Sequence, residues 1–172
     1  MKTRSAVFLI LAVLGMPSCV RLDDNLYNVS DKITEYKRDA YTGDQDFVLD
    51  ASYAIPDSLI HDLTLMSTIP GESEALKIRA VYIGEISRIA TDTVIMYCHG
   101  NKWHMDFYWQ RAKLLANTGW KNRFGVMMVD YRGYGLSEGE PSEDGLYADV
   151  DAALSWLKAN GLSGDRLAMY GI

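Results

Sequence analysis

Two uninterrupted apolar runs, Thr93-Val-Ile-Met-Tyr-Cys98 and Phe124-Gly-Val-Met-Met-Val129, constrain the fold of this chain more than any other feature. Neither alternates with polar residues, so each needs cover on both faces, as strands of a parallel sheet between helical layers have. Between them Trp109, Ala112, Leu115 and Ala116 recur at helical spacing over residues 106–117, ending before Gly119. A second helix follows. Ser142 is placed to cap it, and Glu143 and Asp144 favour the positive end of its dipole. Leu146, Val150, Ala153, Leu154 and Leu157 then line one side, and Gly161 stands where a left-handed residue closes a helix. Upstream, Asp62–Ser67 and Lys77–Ile83 alternate and predict half-buried strands around a turn at Pro70-Gly71-Glu72. Arg166–Tyr170 predicts a fifth strand. The order strand, strand, strand, helix, strand, helix, strand calls for right-handed crossovers and a mostly parallel α/β sheet.

That pattern occupies residues 61–172. Residues 19–60 show no sustained period: Arg21-Leu-Asp-Asp24 predicts a solvated tether. The stretch from Tyr27 to Tyr53 predicts a lead-in whose tyrosines pack on the domain, with short helical turns around Ile33–Arg38. There is no internal repeat and no low-complexity tract.

Residues 1–18 are of another kind. Met1-Lys-Thr-Arg4 is basic, Ala6–Leu14 is apolar, and Gly15-Met-Pro-Ser-Cys19 closes the segment, the pattern of an export signal rather than a membrane span. With Cys19 at the cut it resembles a bacterial lipoprotein signal, which implies a lipidated Cys19 and an envelope protein tethered to a membrane. Ser18 fits that pattern, whereas Met16 and Pro17 depart from it. A plain secretory signal cut elsewhere, or an uncleaved anchor, fits the same residues. Cleavage before Cys19 would leave 15 basic residues against 23 acidic ones and Cys98 as the free thiol. Two cysteines exclude a disulfide framework. A net charge of −6 gives no basic footprint for nucleic acid, and the acidic mature chain would not adhere through a polybasic surface.

Ligands of open α/β sheets collect at the carboxyl ends of strands. Three such ends carry unusual residues: Cys98-His-Gly-Asn101, Asp130-Tyr-Arg-Gly-Tyr-Gly-Leu-Ser-Glu-Gly139 and Gly171-Ile172. His-Gly after one strand, D-x-R-G-x-G-x-S after the next and G-x after a third resemble the α/β-hydrolase fold. The nearest likeness is to its serine aminopeptidase and monoacylglycerol-lipase-like branch. It covers residues 63–172, the first five strands of a usual eight, up to the position before the nucleophile.

The resemblance implies that His99, Gly100 and Asn101 shape an oxyanion loop, with His99 structural and a backbone N–H near Asn101 facing the developing charge. It makes Asp130, Arg132, Gly133, Gly135 and Ser137 scaffold, with Arg132 paired to nearby carboxylates or carbonyls and Asp130 not the triad acid. It makes Gly171-Ile172 the start of G-x-S-x-G, whose serine would be the next residue. Lys102 and Trp103 would line the mouth, or simply pack. The implied substrate is a small acyl or peptide compound, with no cofactor.

Taken by itself the chain holds no nucleophile, triad histidine or triad acid, so it is expected to be an inactive N-terminal fragment. A non-catalytic surface lipoprotein and one half of a split hydrolase remain the other readings. Other chemistries have less support. His61 and His104 lack metal-ligand neighbours at the right spacing. Asp149 and Asp151 read as ordinary carboxylates near a helix start. Gly133-x-Gly135-x-x-x-Gly139 has one residue too many for a dinucleotide loop, and no G-x-x-x-x-G-K-[ST] or H-E-x-x-H occurs. The sequence does not give the oligomeric state.

Overall fold

The computed structural model describes residues 26–29 and 32–172. Residues 1–18 and Cys19 therefore lie outside the described residues, and among those described no helix is long and apolar enough to cross a membrane.

Strands β1 (Ile60–Ser67), β2 (Leu76–Ile83), β3 (Val94–Cys98), β4 (Gly125–Asp130) and β5 (Leu167–Gly171) form one sheet, with helices α1 (Met105–Ala116) and α2 (Glu143–Ala159) in the crossovers. Spatial order is β1-β2-β4-β3-β5. β2 runs antiparallel to both neighbours, while β4, β3 and β5 are mutually parallel. The sheet is thus mostly parallel, the N-terminal part of an α/β-hydrolase fold.

The continuous apolar runs are continuous because both faces are dry. Val94 and Met96 of β3 and Met127 and Val129 of β4 pack with Ala153 and Leu157 of α2. Their alternates Ile95, Tyr97, Val126 and Met128 pack with Tyr108, Trp109, Ala112 and Ala116 of α1. Ser142 caps α2 by accepting the Gly145 N–H at 3.2 Å, and Gly161 closes the helix at φ +97°.

Two expectations need correction. β2 is not half-buried along its length: Ala80 to Ile83 are at most 2% exposed. It lies between β1 and β4 under both layers, and the run Ala80-Val-Tyr-Ile83 was its signal. The turn near Ile33–Arg38 is instead a short 3₁₀ segment at Arg38–Ala40.

Residues 32–49 form a strap along α1. Asp106 accepts the Lys37 and Arg38 N–H groups at 2.8 and 2.7 Å. Gln110 accepts the Leu49 N–H at 3.1 Å, Arg111 pairs with Asp46 at 2.7 Å, and Lys113 with Asp39 at 2.5 Å. Asp106, Gln110 and Lys113 are buried as a result, a polar stripe covered by backbone rather than by water.

Candidate functional site

The carboxyl ends of β3, β4 and β5 bring the three motif loops together. β3 and β5 pair in parallel register, Cys98 opposite Gly171, and the Ile172 N–H reaches the Cys98 carbonyl at 3.4 Å. A side chain at Gly100 would come within 3.7 Å of the Ile172 carbonyl. Gly171-Ile172 therefore lies beside the His99–Asn101 loop.

Four successive carbonyls of that loop are tied. The Tyr131 hydroxyl donates to His99 O at 3.2 Å, and His99 Nδ1 meets Gly100 O at 2.8 Å. Asn101 O accepts from Tyr134 at 3.1 Å and from the Asn28 N–H at 3.2 Å, and Tyr108 donates to Lys102 O at 2.7 Å. Burial pushes the Tyr108 and Tyr134 hydroxyls up to about 12, so both remain donors at neutral pH. A trans peptide is planar, so fixing the Gly100 oxygen toward His99 turns the Asn101 N–H the other way. Among the described residues no acceptor takes that N–H.

His99 is a structural node. Its ring stacks on Tyr108 with centroids 4.7 Å apart, and Tyr131 and Tyr134 lie at 4.7 and 6.0 Å. Nε2 faces Asp130 Oδ1 at 3.1 Å, both side chains being fully buried. Gly100 O can only accept, so Nδ1 carries a hydrogen, and Nε2 and Asp130 Oδ1 share a second. The other Asp130 oxygen, Oδ2, accepts the Tyr36 hydroxyl at 2.6 Å. Burial, and then the Asp130 charge, hold the Tyr36 phenol far above its ordinary value, which keeps it a donor.

The remaining motif residues shape the loop after β4. Ser137 Oγ donates to Asp130 O at 2.6 Å and accepts the Arg79 N–H at 2.9 Å, closing the loop onto β2. Gly133 and Gly135 have φ of +81° and +53°. A Cβ on Gly135 would collide with the Asp130 carboxylate and lie 2.7 Å from the Tyr36 hydroxyl, so only glycine fits there.

Arg132 leaves the site on the other side. Its Nη2 binds Asp149 Oδ1 at 2.9 Å and Ser67 Oγ at 3.1 Å, and its own N–H donates to Asp149 Oδ2 at 2.7 Å. Asp149 is thus no ordinary helix-start carboxylate. It sits well inside α2, is 0% exposed, and anchors the loop to that helix. No single-residue signal marks it in the sequence; the apolar positions Leu146, Val150 and Ala153 on the same helix face would have placed it toward the sheet.

Lys102 lies over the Trp103 ring at 4.4 Å, and that ring stacks on Phe107 at 5.4 Å, so this pair packs on α1. Cys98 ends β3 half-buried, and burial pushes its thiol up, which makes it a poor nucleophile. His104 caps α1 through the Asp106 N–H at 3.4 Å, and His61 Nε2 meets Gly84 O at 2.9 Å. No three His, Cys, Asp or Glu among the described residues gather as a metal site. A groove of about 570 Å³ lies at the amino ends of β3 and β4, between Arg88 and Trp120, and none of the motif residues lines it.

No protein-family model matches the chain. It is 35% identical over 78 residues to human alpha/beta hydrolase domain-containing protein 17C and 36% identical over 78 residues to the Caenorhabditis elegans alpha/beta hydrolase domain-containing protein aho-3. Both matches take in 45% of this chain and 23% of the relative, so the matched region is about a quarter of those proteins. Among solved structures, the Pyrococcus furiosus esterase Pf2001 aligns with TM-score 0.50 and 18% identity over 79% of this chain and 45% of the esterase, a likeness of fold. The three loops, the strand order and these relatives agree: the chain has the N-terminal part of an α/β-hydrolase fold and is similar in sequence to α/β-hydrolase domain-containing proteins.

Proposed function

We propose that the protein is a serine hydrolase that cleaves ester or amide bonds of small acyl or peptide substrates, in the manner of the serine aminopeptidase and monoacylglycerol-lipase-like branch. One observation carries this reading: the loop that lies beside Gly171-Ile172 has its carbonyls tied, while among the described residues its Asn101 N–H is taken by no acceptor. The nucleophile is a serine directly after Ile172, on the turn that Gly171 begins. It attacks the acyl carbonyl, and the oxygen that gains charge is held by the Asn101 N–H and by the N–H after the serine. A donor so aimed contributes about 3 kcal/mol to the transition state. Base and acid come from outside the 172 residues. Because nucleophile, base and acid act as a unit, these residues alone support negligible turnover.

The localisation we propose is the bacterial envelope, with Cys19 lipidated. Leu26, whose carbonyl is bound by the Asn101 side chain, lies seven positions after Cys19. A chain of that length reaches about 25 Å at most, so the lipid would hold the loop end of the sheet close to a bilayer.

A labelled fluorophosphonate probe tests the chemistry. The full-length gene product should be labelled on the serine of the Gly171 turn and the 172-residue chain should stay unlabelled. An unlabelled full-length protein would favour a non-catalytic binding module, and labelling of the 172-residue chain would refute its inactivity. Incorporation of a palmitate analogue, lost in Cys19→Ala, tests the anchor.

A further inference from the structure

We propose that Tyr36, on the strap, is a positioning residue for the oxyanion loop, an inference that rests on the hydrolase reading above. The Tyr36 hydroxyl makes two hydrogen bonds to one loop: it donates to Asp130 Oδ2 at 2.6 Å and accepts the Leu136 N–H at 3.1 Å. Asp130 passes that constraint on through its second oxygen, which faces His99 Nε2 at 3.1 Å. His99 passes it to the Gly100 carbonyl through Nδ1 at 2.8 Å. Peptide planarity then carries it to the Asn101 N–H. Tyr36 touches neither substrate nor reacting atoms; it sets the plane of the peptide that does.

Two features make the relay stiff. Lys37 and Arg38, the next residues of the strap, are held by both oxygens of buried Asp106, so Tyr36 enters from a fixed point. Gly135 leaves room for the hydroxyl, since a side chain there would come within 2.7 Å of it. Asn28, upstream of the strap, reaches the same loop directly, through its N–H on Asn101 O and its bridge with Lys102. Part of the oxyanion geometry is therefore set by residues outside the sheet domain.

Tyr36→Phe keeps the ring and removes the hydroxyl. In the full-length protein, with p-nitrophenyl acetate as probe, kcat should fall about 10- to 100-fold with KM within about twofold, as expected when a transition-state donor is misaligned. Tyr41→Phe is the control: Tyr41 lies on the same strap, its ring 5.5 Å from that of His104, outside the relay. It should leave kcat unchanged. Independently of turnover, the ring N–H resonances of His99 should shift in Tyr36→Phe and not in Tyr41→Phe. Unshifted His99 resonances, or equal loss of kcat in both variants, would overturn the relay. A wild-type protein without turnover would instead overturn the hydrolase reading, while the His99 resonances would still decide whether Tyr36 acts through Asp130.

Discussion

Asp130 and Asp149 are both fully buried carboxylates, both grip the loop after β4, and they are built on different chemistry. Asp149 is met by a guanidinium and a hydroxyl, Arg132 and Ser67, so its charge is compensated in place. It ties the loop to α2 and β1. Asp130 is met by His99 and Tyr36, an imidazole and a phenol, with no guanidinium or ammonium bonded to it among the described residues. It ties the same loop to the His99–Asn101 loop and the strap. A carboxylate clamped by a guanidinium serves as an anchor, whereas a carboxyl group held by an imidazole and a phenol lets small groups be aimed through it. The first should govern stability, and the second should govern geometry.

The hardest test of that contrast is Arg132→Met, which leaves Asp149 buried without its partner. Breaking a buried pair from one side costs about 3–5 kcal/mol, and the urea midpoint should fall accordingly. Arg132→Met with Asp149→Leu should recover much of that loss, since a buried pair can be replaced by apolar groups. If the single variant loses under about 1 kcal/mol, well below that range, Asp149 is no anchor.

On the Asp130 side, Gly135→Ala forces a side chain to φ +53° and pushes the Asp130 carboxylate off its partners. The expected cost is about 2 kcal/mol, smaller than for Arg132→Met, but the His99 ring resonances should move. An unchanged His99 environment would mean that Asp130 does not transmit position.

The smallest effect is alkaline. The Tyr36 phenol is raised in the folded chain by burial and then by Asp130, so folding favours its protonated form. That stability is fully present below about pH 10, the unfolded value, and is lost as pH rises above it, by about 1.4 kcal/mol per pH unit for one group. Other buried tyrosines, Tyr82, Tyr97 and Tyr131, are raised by burial too and add to the slope. Subtracting the Tyr36→Phe profile from wild type between pH 10 and 11.5 isolates the Tyr36 share. Identical slopes would show that Tyr36 ionises as freely in the fold as out of it.

The elements were legible where burial imposes a period. β3 and β4 were readable from unbroken apolar runs, and α2 from its cap, its apolar stripe and Gly161. β2 was misread because its first half does alternate, and alternation there was extended into Ala80–Ile83. The loop residues were legible as a string, Asp130 to Ser137, but not as a set of contacts. Tyr36 lies 94 positions before its partner Asp130, and Ser67 lies 82 before Asp149. A single hydrogen bond over such a span leaves no period to detect. Asp106, Gln110 and Lys113 show the same limit: polar residues on one helix side predict a wet face, and only the strap explains why it is dry.

The tied carbonyls also bear on when the electrostatic work at the strand ends is done. In water, dipoles must rotate toward a charge as it forms, and that reorganisation is part of the barrier. With the His99, Gly100, Asn101 and Lys102 oxygens each already bonded, the peptides between them have no rotation left to make. Their field exists in the resting chain, set when Tyr108, Tyr131 and Tyr134 find their partners during folding.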